Sequence, residues 1–175
     1  MRTLVTYASA KGSTHDIAGT IASHLQAAGI TVDLTPVDRV EFSTLPRYSS
    51  VIIGSPIHMQ HWLRPACSFI SHNVGFLKAM SVWAFSTGMP PNEDQRVKEE
   101  QMIEKKIRKE IPDLQGHKLF FGRIEQESLG WFMRAIFKCC ISEKEIKDGD
   151  QIDWEEIGTW ARKVGEEIHT SQMMI

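Results

Sequence analysis

The chain is short of cysteine, of net charge and of long apolar runs, and each shortage excludes a class of protein. Its three cysteines, Cys67, Cys139 and Cys140, are odd in number, include an adjacent pair and show no C-x-x-C spacing. That pattern speaks against a disulfide framework and fits a reducing compartment. A net charge of −2 gives no electrostatic case for nucleic acid. No apolar stretch approaches the length of a bilayer span. The start, Met1-Arg2-Thr3 followed by strand-like residues, lacks the basic region and apolar run of a signal peptide. A cytoplasmic protein is therefore expected. His58-x-x-His61 has the spacing of a metal pair, but no third ligand lies nearby in sequence, so no metal site is expected. Neither G-x-x-x-x-G-K-S/T nor G-x-G-x-x-G is present, which excludes the two commonest phosphate fingerprints.

What is present is an alternation of apolar runs and helical patterns, the mark of a parallel sheet covered on both faces. With 175 residues, one domain spanning 1–175 is expected. Strands are read at 3–7, 31–36, 50–54, 81–86 and 118–123, the third broken by Gly54. Helices are read at 13–28, closed by Gly29, at 63–77 and at 93–111, with Asn92 as N-cap. Residues 40–45 form a short helix or turn. After the fifth strand comes an apolar helical insert at 129–141, then a last helix from its N-cap Asp153 to about residue 168. The expected architecture is α/β: a doubly wound five-stranded parallel sheet in the order 2-1-3-4-5. Ligands of such sheets bind beyond the carboxyl ends of the strands, at the switch point between strands one and three.

Three loops meet at that edge, and they are the chemically unusual ones. The first reads Ser9-Ala10-Lys11-Gly12-Ser13-Thr14 and opens straight into a helix. Free backbone amides and the helix dipole converge there on an anion, and the hydroxyls add donors. Lys11 either adds charge attraction or points into water. An ordinary polar turn capped by Ser13 or Thr14 is the plain alternative. The second loop, Gly54-Ser55-Pro56-Ile57-His58-Met59-Gln60-His61-Trp62, crowds large side chains at an exposed edge. A flat ring packs there against Ile57, Met59 or Trp62, with His58 or His61 at its rim; otherwise these residues cover the sheet end or a subunit contact. The third, Phe85-Ser86-Thr87-Gly88-Met89-Pro90-Pro91, lets a backbone amide approach a ring edge.

These residues resemble the flavodoxins, whose phosphate loop reads Ser/Thr-x-Ser/Thr-Gly-x-Thr; Lys11 departs from the hydroxyl at its third position. The resemblance implies FMN as cofactor. Ser9, Ala10, Lys11, Gly12, Ser13 and Thr14 would hold its phosphate. Ser55, Pro56, Ile57, His58, Met59 and Trp62 would line one side of the ring, and Ser86, Thr87, Gly88 and Met89 the other.

The last third of the chain narrows the resemblance. Gly130-Trp131-Phe132-Met133-Arg134-Ala135-Ile136-Phe137-Lys138 is followed by Asp153-Trp154-Glu155 at the start of the final helix. This layout, with Gly54-x-x-Ile57-x-x-x-His61-Trp62, is similar to the menaquinone-dependent protoporphyrinogen dehydrogenases. That likeness implies an FMN-dependent oxidoreductase of heme biosynthesis, a tetrapyrrole or other reduced substrate, and a quinone or redox partner protein as acceptor. Met59 stands where an aromatic is expected and His58 where an arginine is. His58 and His61 are candidate proton shuttles or plain surface histidines. The insert, with Trp131, Arg134 and Lys138, has three readings: a peripheral contact on the inner face of the cell membrane, a pocket for a propionate-bearing substrate, or a helix buried on the sheet edge. An electron carrier and an FMN-dependent quinone or NAD(P)H reductase are the rival functions, and the oligomeric state is open.

Overall fold

The computed structural model describes residues 2–9, 12–123 and 151–173. In chain order the elements are β1 (Arg2–Tyr7), α1 (Ser13–Ala27), β2 (Thr31–Pro36), β3 (Tyr48–His58), β4 (His61–Trp62), α2 (Arg64–Leu77), β5 (Ser81–Gly88), α3 (Glu93–Glu110), β6 (Gly116–Phe121) and α4 (Trp154–Met173). Two 3-10 turns, Val37–Arg39 and Phe42–Arg47, carry the chain from β2 to β3. The sheet runs β2-β1-β3-β5-β6, all parallel, and β4 pairs antiparallel with β3 alone. With that hairpin strand set aside, the order is the expected 2-1-3-4-5.

Strand alternation splits the core in two. Val5, Ile52, Trp83, Phe85 and Phe120 face α1 and α4, where they meet Ile17, Ile21, Leu25, Ile157 and Val164. Leu4, Val51, Ile53, Val82 and Ala84 face α2 and α3, against Phe69, Ile70, Leu77, Ile103 and Ile107. A parallel strand buried on both faces must be apolar at successive positions, which is why residues 51–53 read as an unbroken Val-Ile-Ile run. Helix starts follow their sequence signals in two cases. Asn92 Oδ1 accepts from the Gln95 amide at 2.9 Å. Asp153 Oδ1 accepts from the amides of Glu155 and Glu156 at 3.0 and 2.9 Å. Helix α1 has no side-chain cap; Gly12 stands at its N-cap.

Several bounds differ from the sequence expectation: β5 runs to Gly88, β6 spans Gly116–Phe121 and not 118–123, and β3 departs most. Strand β3 does not stop at Gly54 but runs on to His58, pairing Ser55 with Ser86 and Pro56 with Thr87. Gly54 makes room rather than ending the strand: a Cβ there would lie 2.1 Å from Cζ of Phe85. The second loop is then no loop but a hairpin, turned by Met59 (φ 48°) and Gln60 (φ 65°). Two successive left-handed residues make the turn that matches strand twist, normally signalled by Asn-Gly. Met-Gln carries no such signal. The last helix also extends beyond residue 168, to Met173. The expected insert at 129–141 lies outside the described residues.

Substituting Gly54 by Val should destabilise the fold by about 3 kcal/mol through overpacking against Phe85. Urea denaturation measures this, and in the double variant with Phe85→Leu the two effects should fall short of their sum.

Candidate functional site

Strand β1 ends at Tyr7, and the Ala8 amide donates to the Gly54 carbonyl at 2.9 Å, fixing the start of the first loop against β3. Gly12 then takes φ 148° and ψ −167°, a region essentially reserved for glycine. Its carbonyl accepts the His15 amide at 3.0 Å, which starts α1. Among the described residues no side chain caps this end, so the first amides of α1 suit an anionic ligand. Ser13 is buried at this end, and a Cβ on Gly122 would come within 2.9 Å of its hydroxyl oxygen. The Gly122 amide donates to the Gly88 carbonyl at 2.9 Å, so the chain leaving β6 closes over the same spot. Asp16 lies one turn in, paired with Arg123 at 3.6 Å, which offsets a negative charge beside an anion site. The donor set of amides, serine hydroxyls and helix dipole suits a phosphate ester. Ala10 and Lys11 lie outside the described residues.

The hairpin forms the second wall. Ser55 Oγ accepts the Leu63 amide and donates to the Pro56 carbonyl, both at 3.0 Å, tying its base. Lys106 Nζ reaches from α3 to the Gln60 carbonyl at 2.7 Å and secures the left-handed turn. Met59, at the tip, is 83% exposed. His58 and His61 stand opposite each other at the foot of the turn, both exposed.

Strand β5 joins the two walls through adjacent hydroxyls on opposite faces. Thr87 bonds Thr14 of α1, oxygen to oxygen, at 2.7 Å. Ser86 Oγ accepts the Trp62 indole N–H at 2.7 Å and lies 2.8 Å from His117 Nε2. All five side chains are buried. His117 Nδ1 has no partner, and Thr6 Oγ1 is the other such buried side-chain atom among the described residues. Burial pushes the His117 imidazole down to about 4; the charges of Arg108 and Lys118 act the same way, and the Glu100 backbone opposes them.

The structure thus sorts the expected site residues into two groups. Ser9, Gly12, Ser13, Pro56, Ile57, His58, Met59, Gly88 and Met89 lie along the carboxyl edge. Ser55, Trp62, Ser86, Thr14 and Thr87 turn their side chains inward, and their hydrogen bonds brace the loops. Trp131, Arg134 and Lys138 lie outside the described residues. Sequence reading passed over His117, because a single histidine in an apolar strand carries no local signal. A recess of about 350 Å³, lined by Gln60, Met89, Pro90, Gln95, Glu99 and Met102, adjoins both walls. Burial raises the Glu99 carboxyl within it. Among the described residues no group of His, Cys, Asp and Glu is placed to hold a metal ion, and no helix is long and apolar enough to cross a membrane.

The family model described as Flavodoxin domain matches residues 4–150. A curated Escherichia coli K12 protein, protoporphyrinogen IX dehydrogenase (quinone), is 24% identical over 173 residues, covering 94% of each chain. Oxidised flavodoxin 2 from Bacillus cereus superposes with a TM-score of 0.63 at 17% identity, over 95% of this chain and 99% of that one. A flavodoxin from the domain Archaea gives 0.62 at 13% identity, over 97% and 99%. At these identities the structural likeness speaks for the fold.

Replacing Thr14 by Val should cost about 1–3 kcal/mol, because the buried Thr87 hydroxyl loses its partner; the Thr14→Val, Thr87→Val pair should cost less than the sum. A thermal or urea cycle measures the coupling. His117 also makes stability depend on pH. Its folded pKa lies below the unfolded value, so the unfolded chain binds more protons between about pH 6.5 and 4, and stability falls as pH drops through that window. The slope is about 1.4 kcal/mol per unit and should be absent in His117→Gln.

Proposed function

Because this chain belongs to the flavodoxin domain family, we propose that it is an FMN-dependent oxidoreductase that takes electrons from a porphyrinogen-type reduced tetrapyrrole and delivers them to a quinone. FMN is the cofactor that membership of the family brings. The tetrapyrrole and the quinone rest on one observation above all: the match to the Escherichia coli dehydrogenase runs over 94% of both chains, not over the cofactor-binding fold alone.

In this reading the amides at the start of α1, with Ser9 and Ser13, bind the phosphate, and Ala10 and Lys11 complete the loop. The hairpin residues Ile57, His58 and Met59 cover one side of the ring, and Gly88 and Met89 the other. FMN, when bound, supplies a carrier that accepts and returns two electrons, together or singly. The protein's part is placement and exclusion of water. The turn at Met59 and Gln60 holds the ring edge, and His58 and His61, exposed at its foot, exchange protons with solvent. The recess beside Met89 and Gln60 offers room for a second flat ring next to the first. In the insert, Arg134 and Lys138 supply cations for carboxylate side groups of the substrate, and Trp131 an aromatic face.

A second reading is an electron carrier, favoured by end-to-end superposition on stand-alone flavodoxins. Carriers are steered by strongly charged surfaces, and a net charge of −2 is modest for that task.

Purified protein loaded with FMN should retain close to one flavin per chain and convert protoporphyrinogen to fluorescent protoporphyrin only when a quinone is added. Retained FMN without turnover would favour the carrier. Placing a carboxylate in the phosphate loop by Ser9→Glu should weaken FMN binding about 100-fold, equivalent to ~3 kcal/mol of like-charge repulsion, with the far-UV spectrum unchanged. Unaltered affinity would remove the phosphate from this loop.

A further inference from the structure

The buried chain beneath the hairpin starts from a donor of fixed direction. An indole nitrogen only donates, so Ser86 Oγ accepts from Trp62. The Ser86 proton is then free to point along the second contact, to His117 Nε2 at 2.8 Å. With Ser86 donating there, Nε2 accepts and the neutral ring carries its proton on Nδ1. That turns a buried Nδ1–H toward the Glu100 backbone, with no partner at close hydrogen-bond geometry. Leaving a buried donor unpaired costs stability, and native structures keep such groups rarely. In the opposite tautomer Ser86 would accept from both sides and its own proton would turn away from the chain.

We propose that Ser86 and His117 are positioning residues for the hairpin, and that the Nδ1–H tautomer of His117 directs a hydrogen-bond chain from Trp62 through Ser86 that sets the hairpin's pose over the cofactor. Trp62 is the residue through which this acts. It pairs with Ile57 across the hairpin and is 7% exposed, so its ring anchors the strand that returns from the Met59–Gln60 turn. Ser86 also precedes Thr87, whose bond to Thr14 fixes the phosphate end. Protonating His117 would turn Nε2 into a donor, strand the Ser86 proton and loosen the hairpin.

The surrounding charges do not supply a substitute partner. From α3, the Glu100 carboxylate takes the Leu119 amide, Glu104 takes Arg108, and Lys106 is held by Gln60. The Glu100 backbone acts on the ring as a hydrogen-bond acceptor and favours its protonated form. Lys118 on β6 pairs with Glu156 of α4. Cys67 of α2 lies against the Trp62 carbonyl, and burial raises its thiol. The link to the cofactor rests on the FMN reading; the direction of the chain does not.

Long-range proton–nitrogen spectra of the full-length protein read the tautomer directly. The expected result is a protonated Nδ1 and a free Nε2 at neutral pH. The Trp62 indole N–H signal, identified by its loss in Trp62→Phe, should be slow to exchange. It should shift in Ser86→Ala and move with the His117 ring signals during acid titration. His117→Leu removes the acceptor, whereas His117→Gln offers a carbonyl oxygen in its place. FMN affinity should fall about tenfold in Ser86→Ala and His117→Leu, as expected for one lost buried hydrogen bond, and stay within about twofold in His117→Gln. A protonated Nε2 at neutral pH, or an indole signal unmoved in Ser86→Ala, would overturn the chain. Equal FMN affinity in all three variants would overturn its effect on the site. A parent protein that takes up no FMN would sink the FMN reading and the effect on the site, while the tautomer and indole signals would still decide the chain.

Discussion

Two neighbouring hydroxyls on one strand hold the site together. In a strand, successive side chains leave from opposite faces, so Ser86 and Thr87 cannot serve the same neighbour. Ser86 reaches down to the hairpin through Trp62, and Thr87 reaches across to the first helix through Thr14. The α1 end and the hairpin end of the edge are thereby locked to β5 from two sides. Without them the three loops would be independent surface segments, and loops without buried anchors are the least stable parts of a fold.

That arrangement asks for polar groups inside an otherwise apolar sheet. The interior accepts them because each contact is short and nearly every atom is paired, so desolvation is offset by hydrogen bonds in a low-dielectric setting. Among the described residues Thr6 Oγ1 and His117 Nδ1 are the exceptions. Burial disfavours the charged form of the His117 ring, and the Glu100 backbone alone opposes that effect. The hairpin turn carries a second cost. Met59 and Gln60 occupy left-handed backbone that side chains with a Cβ avoid, at roughly 1–2 kcal/mol each. The Lys106 contact to the Gln60 carbonyl offsets part of it. Strain of this kind tends to collect where a ligand is gripped.

Much of the architecture is legible in the residues alone. The order of elements, the parallel sheet and the three loops follow from apolar periodicity and from glycine and proline placement. The caps at Asn92 and Asp153 are readable because they use the residues whose side chains accept amides best. The hairpin is not, since Met-Gln has no turn signature and Gly54 looks like a stop. The glycine's reason is Phe85, about thirty residues away in sequence, and no local pattern contains it.

Short-range periodicity and backbone preference suffice for the fold class, the helix starts and the set of residues gathered at the carboxyl edge. Which of those residues face outward and which turn in is a tertiary matter. Trp62, Ser55 and Ser86, expected as surface for a ring, turn their side chains inward and bond within the protein. The choice is made by register: with Ser55 opposite Ser86 and Ile57 opposite Trp62, the indole falls beneath the hairpin, within reach of a hydroxyl and an imidazole from two other strands. Such a meeting depends on how distant strands align, which period and propensity do not encode.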